Sequence, residues 1–294
     1  MMNEFDDLFK NVPIEDEKTR PSFDKKVWAE AKKQERIDAF NLIDKTAEEI
    51  VKDPAKLRTY LDVQSRFDRY SLANALLITA QMPDAMKLAD YETWKKNGTY
   101  VNKGANSIVI LGPGEEYTKP DGSIGVSYNT KRVFDISQTN SPELKSYPRR
   151  DDRLLIKALM SNAPCAITIS EDVSEKEQAI YNKNSNAVFI HGGMSGEEIF
   201  MALARELSRA VLEGMDNKPI DARFSAECAG YMLCKRSGLD VSKIRIDVPG
   251  KISSLETKEI KSVLSQIRTV TNQYIGDMNR FFEEQNKDRQ PEAR

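Results

Sequence analysis

The sequence predicts an α+β protein in which helices outnumber strands. Long stretches near each end of the chain place apolar residues at the three- and four-residue spacing of amphipathic helices. Between them lie short β-branched runs bounded by glycine and proline, the clearest at residues 107–111. The expected order is N-terminal helices with a small antiparallel sheet, then a mostly helical domain with a short sheet, and a long C-terminal helix.

Composition narrows the class of protein. The 294 residues suffice for two ordinary domains, and the formal net charge is −2. This balance excludes binding to nucleic acid through overall positive charge, so any such site has to be a local patch. No apolar stretch has the length of a membrane span, the N-terminus lacks the features of a signal peptide, and three cysteines form no disulfide framework. We therefore expect a cytoplasmic protein without a membrane partner.

The N-terminal part divides into an arm and a helical region. Residues 1–21 are charged and lack periodicity, which indicates a mobile arm. Helical spacing begins at Ser22, a candidate N-cap, and Pro54 interrupts it. Two further helices are expected, at residues 57–63 and 71–78.

Strand signals follow the helices. Residues 107–111 and 131–136 are rich in β-branched and apolar side chains, and Asp121-Gly122 is typical of a hairpin turn. Residues 22–140 are therefore predicted to form the first, α+β domain.

The second part of the chain is predicted to be a separate domain with a helical tail. Residues 141–153 contain two prolines and seven charged residues, which indicates a linker. In the domain that follows, at residues 154–254, Ser195 and Glu198 form a capping box at the start of a helix. Residues 255–294 are predicted to be a long amphipathic helix, ending near residue 285, and a short tail.

One helix carries the spacing of a metal site without its ligands. A zinc peptidase places two histidines at i and i+4 on one helical face, with a glutamate beside the first as general base. Here those two positions are Arg205 and Arg209, and Glu206 stands where the base would be. Glu227, on the next predicted helix, stands where the third ligand would be.

The order of these elements resembles the ImmA/IrrE-type metallopeptidase domain. The resemblance covers roughly residues 155–240: a strand, a Ser-capped helix with the metal motif, and a helix with a glutamate ligand. It implies a metallopeptidase fold. Arginine offers only N–H donors and no lone pair, and it stays protonated, so Arg205 and Arg209 cannot bind a metal. We therefore expect no metal, no cofactor and no catalytic residue.

An ion-pair cluster is the structure expected in place of the metal. In this hypothesis Arg205 and Arg209 reach across to Glu227, and also to Glu206. The alternative is that these side chains are ordinary solvated helix charges. His191, the single histidine of the chain, follows a predicted strand beside a Gly-Gly turn and is not expected to bind a metal.

A second resemblance covers residues 57–140. Separate blocks match in order, and they include residues 70–83, 91–104 and 108–113. Together they resemble the N-terminal domain of ArdC-type antirestriction proteins, which are encoded on conjugative plasmids and related mobile genetic elements. That resemblance implies binding of single-stranded DNA. The same family pairs this domain with a C-terminal metallopeptidase-like domain.

Single strands are held by basic side chains on phosphates and aromatic faces under bases. The predicted DNA-binding residues combine aromatic, basic and amide side chains: Tyr70, Trp94, Tyr100, Lys95, Lys96, Lys103, Lys131, Arg132, Asn74 and Gln138. In the alternative interpretation Trp94 and Tyr70 are packing residues, and Lys95 and Lys96 form a solvated helix end.

These observations predict a single-stranded-DNA-binding, antirestriction-like accessory protein of a mobile genetic element, with a catalytically dead metallopeptidase-like domain. The first alternative is a protein-interaction module or an inhibitor of a host defence enzyme, with the C-terminal helix as the partner surface. The second is an active metallopeptidase with another metal arrangement. Loss of the ligands argues against that enzyme.

Overall fold

The computed structural model describes residues 24–141, 143 and 148–289. These residues form nine α-helices and six strands, which confirms the α+β prediction. The helices are α1 Lys25–Ile50, α2 Pro54–Arg66, α3 Leu72–Gln81, α4 Tyr91–Lys96, α5 Asp152–Met160, α6 Gly196–Gly214, α7 Ala222–Arg236, α8 Gly250–Ser253 and α9 Thr257–Arg289. The strands are β1 Leu88–Ala89, β2 Ile108–Thr118, β3 Ile124–Asp135, β4 Ala166–Ile169, β5 Ala179–Asn182 and β6 Ala187–Ile190.

Side-chain caps fix where the helices begin. The N-cap of α1 is Asp24, which accepts hydrogen bonds from two backbone N–H groups of the first turn. The predicted cap, Ser22, lies outside the described residues, as does the predicted arm at residues 1–21. The capping box of Ser195 and Glu198 is present at the start of α6 and confirms that prediction.

The first sheet is antiparallel, with strand order β1-β3-β2. The turn between β2 and β3 contains Gly122, whose φ of 81° favours glycine, as the hairpin prediction required. Both strands are longer than predicted. Cross-strand pairing of main-chain groups continues to Thr118 and Ile124, beyond the continuous apolar runs on which the prediction rests.

The second sheet has the order β4-β6-β5, with β4 parallel and β5 antiparallel to β6. β5 is therefore an edge strand. It lies beside α6, and this contact builds the site described below.

The largest hydrophobic core joins the two halves of the chain. Buried residues of α2 and α3, such as Leu61 and Leu76, belong to the same cluster as Leu203 of α6 and Ile267 of α9. The predicted domain limits stay a prediction, since continuous packing does not set a boundary. Of the predicted linker, residues 142 and 144–147 lie outside the described residues, and its last two residues already belong to α5.

The predicted C-terminal helix is confirmed as α9, and it connects the halves. Its apolar face is buried in the shared core. Its polar side chains bond the loop between α2 and α3: Arg268 Nε donates to the Tyr70 carbonyl at 2.9 Å, and Asn272 donates to the Asp68 carbonyl at 3.0 Å. A partner of this helix would therefore meet its charged outer face. Within the described ranges, no helix has the length and apolarity to cross a membrane.

Glu35 ties α1 to the first sheet. Its carboxylate accepts hydrogen bonds from Lys32 Nζ and Thr130 Oγ1, each at 2.7 Å, and pairs with Arg132 of β3. These contacts, the Lys32 hydrogen bond first among them, lower the pKa of Glu35 from 4.5 to about 2. Arg132 is therefore engaged in an intramolecular ion pair, and its predicted contact with DNA stays a prediction.

The Glu35 contacts predict a specific acid sensitivity. Because the folded-state pKa is depressed, the stabilisation is complete above pH 4.5 and is lost as the pH falls towards about 2. Glu35→Gln should therefore flatten the decline of stability in this window, measured by urea unfolding at several pH values. Glu30→Gln is the control, since Glu30 is exposed and its nearest ion pair, with Lys33, is 3.7 Å long. Parallel pH profiles for Glu35→Gln and the wild type would contradict the assignment.

Candidate functional site

Glu206 is the centre of the cluster on α6. Its side chain is 7% exposed, and the carboxylate accepts a hydrogen bond from Nε of Arg205 at 2.8 Å. Nη1 of Arg209 lies 3.9 Å from the other carboxylate oxygen. That oxygen also accepts the backbone N–H of Tyr181 in β5 at 2.9 Å. The predicted pairing of both arginines with Glu206 is confirmed.

Arg205 bonds the same strand. Its Nη2 donates to the carbonyl of Glu177 at 2.9 Å and to the carbonyl of Ala179 at 3.3 Å. Alternate residues of a strand turn their backbone groups to the same edge, so Ala179 and Tyr181 present one edge of β5 to α6. Arg205 and Glu206 therefore hold the edge that β6 does not cover.

Glu227 takes no part in this cluster. It pairs with Arg223 at 3.2 Å, one helical turn away on α7. Arg209 likewise turns its Nε to Glu213, one turn along α6, at 2.8 Å. The expectation that Arg205 and Arg209 reach Glu227 is wrong. Arg209 and Glu227 each pair with a residue one turn away on their own helix, and Arg205 pairs with Glu206.

α6 and α7 approach closely at this point. A Cβ on Gly230 of α7 would lie 3.1 Å from the backbone of Arg205, tighter than most real contacts. Glycine at this position therefore lets the two helices meet. A cleft of about 520 Å³ lies beside the crossing, lined in part by Arg205, Glu206, Arg209 and Glu227.

The chemistry of this cleft does not fit a divalent metal. Two of the four positions carry guanidinium groups, which have no lone pair to donate and remain cationic. No group of three His, Cys, Asp or Glu side chains converges anywhere in the described part of the chain. His191 is engaged elsewhere, with Nδ1 2.7 Å from the carbonyl oxygen of Val173.

Asn74 and Gln138 are structural residues. The buried Asn74 side chain donates to the Leu111 carbonyl and accepts the Leu111 N–H, both at 2.8 Å. Gln138 accepts the N–H of Asp135 at 2.9 Å and donates to the Asn106 carbonyl at 2.7 Å. The protein's own backbone occupies both amides, which favours a structural role, and their predicted contact with DNA stays a prediction.

Two of the predicted aromatic contacts are also packing residues. Trp94 is 2% exposed, and its Nε1 donates to the Phe134 carbonyl at 3.0 Å. Tyr70 is half-buried, edge-on to Phe67 at 5.5 Å between ring centroids, and burial raises the pKa of its phenol. At this burial Trp94 offers no free ring face to a base, which favours packing over the predicted stacking role. The packing alternative applies to both residues.

The remaining predicted residues lie at the surface. Lys95 and Lys96 end α4, Tyr100 and Lys103 follow in the next loop, and Lys131 lies on β3. Tyr100 is 53% exposed. The structure adds a tyrosine that was not among the predicted residues: Tyr91, which begins α4 and is 50% exposed. Its position one helical turn before a lysine was the available signal.

We call Tyr91, Lys95, Lys96, Tyr100 and Lys103 together the α4 surface. Residues 87–104 contain four lysines and two acidic residues, so this segment is locally positive although the whole chain is not.

The loop of the α4 surface is fixed by backbone contacts. The N–H of Tyr100 donates to Oδ1 of Asn140 at 2.8 Å, and the N–H of Asn102 donates to the Gln138 carbonyl at 2.9 Å. Gly98 and Gly104 have φ of 71° and 85°, which L side chains rarely adopt. Tyr100 is thus presented on an ordered turn.

The chain is similar to an uncharacterized curated protein and to two solved structures. No protein-family model matches the chain. An uncharacterized Bacillus anthracis protein, pXO2-81, is 24% identical over 328 aligned residues, covering 90% of this chain and 55% of that protein. The chain therefore spans about half the length of this curated relative.

Two solved structures share the architecture, both of the antirestriction protein ArdC from plasmid R388. The Mn(II)-bound structure has a TM-score of 0.58 and 15% identity, covering 81% of this chain and 98% of that one. The metal-free structure has a TM-score of 0.50 and 16% identity, covering 71% and 85%. The fold is similar to that of ArdC. At this identity the similarity establishes the fold alone.

Proposed function

We propose that this chain is an antirestriction-type accessory protein of a mobile genetic element, and that it binds single-stranded DNA through the α4 surface. The observation that carries the proposal is the exposed pair Tyr91 and Tyr100 among Lys95, Lys96 and Lys103. The similarity of the fold to ArdC supports it.

The α4 surface has both components that single strands require. Exposed tyrosine rings accept stacked bases of any identity, and lysines neutralise the phosphates between them. Lys131 adds charge at its margin: together with Lys96 it acts on Asp90, the N-cap of α4, whose pKa is lowered chiefly by its hydrogen bonds from Thr93. Because the lysines act on phosphates, binding should weaken as the salt concentration rises, and because the rings stack on any base, it should be tolerant of sequence.

We further propose that the C-terminal half does not catalyse peptide hydrolysis. A zinc peptidase needs a metal to activate water, and the donor set around Glu206 holds Arg205 and Arg209 instead. In this proposal the C-terminal half acts as a scaffold. Its helix α9 contacts the loop between α2 and α3, where Arg268 donates to the Tyr70 carbonyl.

The test is a titration of labelled single-stranded and duplex oligonucleotides at several salt concentrations. Replacing Lys95, Lys96 and Lys103 together by Gln should reduce the magnitude of the slope of log K against log salt by about 2, roughly 0.7 for each lost phosphate contact. A matched control replaces Lys258, on the outer surface of α9, by Gln.

Two outcomes would count against the proposal. An unchanged slope in the triple variant would remove the α4 surface from the binding site. Absence of binding even at low salt would leave the fold without a DNA function, and would favour the protein-interaction alternative.

A further inference from the structure

A second cleft is formed by residues of the C-terminal half of the chain, whereas the α4 surface belongs to the N-terminal half. It has a volume of about 820 Å³, within the range of small-molecule sites, and lies between residues 148–150, α5, the end of α7 and α9. Its floor is apolar: Leu155, Leu233 and Met278 are buried side chains that line it.

The charged lining of this cleft is of one sign. Arg149, Arg150 and Arg236 line it, and none of the described residues in its lining is acidic. The carboxylate partners of two arginines lie outside it: Arg149 pairs with Asp152 and Glu197, and Arg236 with Asp68 at 3.2 Å. These pairs fix the position of two guanidinium groups at the rim. We call this the arginine cleft.

Arg150 differs from the other two arginines. Its guanidinium stacks over the ring of Phe282, 4.1 Å from the centroid, and it has no carboxylate partner in the described part of the chain. Stacking of this kind holds the planar group in place and leaves the N–H donors along its edge available for an anion. Asn279 adds an amide at the same cleft.

We propose that the arginine cleft binds a nucleoside phosphate. The apolar floor and the Arg150–Phe282 stack suit a planar base, the Asn279 amide suits its polar edge, and guanidinium groups suit a phosphate. The source is either a free nucleotide or the phosphorylated end of a strand. The site does not depend on DNA binding at the α4 surface.

The test uses the full chain and deoxyadenosine 5′-monophosphate, titrated by calorimetry, with deoxyadenosine and inorganic phosphate as partial ligands. The nucleotide should bind more tightly than either part. Arg150→Gln should weaken it by about tenfold or more, because a charge-assisted hydrogen bond is lost. Arg153→Gln is the matched control: it is an exposed arginine on α5 outside the cleft lining, and should bind as the wild type does.

A second variant distinguishes loss of the binding site from loss of the folded structure. Phe282→Leu keeps an apolar side chain but removes the ring under Arg150, and should also weaken the nucleotide while circular dichroism stays that of the wild type. No saturable binding at about 1 mM nucleotide, or equal affinity in Arg150→Gln and wild type, would overturn the proposal. Tighter, Arg150-dependent binding of a short peptide with glutamate and phenylalanine would overturn it in favour of an acidic protein segment.

The two sources are distinguished by oligonucleotides. Arg150-dependent preference for a 5′-phosphorylated over an unphosphorylated oligothymidylate identifies a strand end, and binding of the mononucleotide alone identifies a free nucleotide. The triple lysine variant of the α4 surface should bind the mononucleotide normally. Loss of one activity without the other therefore shows which of the two proposals has failed.

Discussion

Glu206→Ala should lower the free energy of unfolding by about 3 kcal/mol. The substitution removes the acceptor of the Tyr181 N–H and leaves Arg205 and Arg209, each about two-thirds buried, without their shared carboxylate. Breaking a buried ion pair by removing one partner costs more than the pair itself contributes, because the remaining charge is poorly solvated. Urea unfolding followed by circular dichroism measures the change.

Glu227→Ala is the matched control for this prediction. Glu227 carries the same charge at the cleft, but its partner Arg223 is 83% exposed, so the loss should stay below about 0.5 kcal/mol. Glu206→Gln should fall between the two, because an amide oxygen can still accept the Tyr181 N–H. Equal losses for the alanine variants at both positions would contradict the assignment of Glu206 as the centre of the cluster.

The difference between Glu206 and Glu227 could not be predicted from the sequence. Periodicity and capping predicted that α6, α7 and α9 exist and where α6 begins, because those signals are local. The partner of each arginine is decided by tertiary geometry. Glu206 is the centre of the cluster because β5 passes beside it and donates the Tyr181 N–H. Nothing in the residue spacing of α6 indicates where that strand lies.

The same limit applies to the predicted DNA contacts. Residue type correctly indicated that this region offers aromatic rings and lysines, but not which rings face water. Trp94 and Tyr91 lie on one short helix, yet Trp94 turns to the carbonyl of Phe134 and Tyr91 turns outward. α4 is only six residues long, too short for periodicity to identify its buried face.

Trp94→Ala should therefore act on stability, with a loss of about 4 kcal/mol in the free energy of unfolding. The ring is 2% exposed, its Nε1–H bonds the Phe134 carbonyl, and Lys87 Nζ lies 5.5 Å from the ring centroid. Removing it leaves a cavity beneath α4 and an unsatisfied carbonyl on β3. Urea unfolding at neutral pH measures the loss.

Tyr100→Ala separates stability from binding at the α4 surface. Its side chain is 53% exposed, so the free energy of unfolding should change by less than about 0.5 kcal/mol. If a base stacks on the ring, the variant should lose about 1–3 kcal/mol of binding free energy for single-stranded DNA.

A Trp94→Ala protein that stays as stable as the wild type but no longer binds DNA would restore Trp94 as the platform. Weak binding by Trp94→Ala is otherwise expected to follow its unfolding, since denaturing the α4 surface removes Tyr100 and the lysines together.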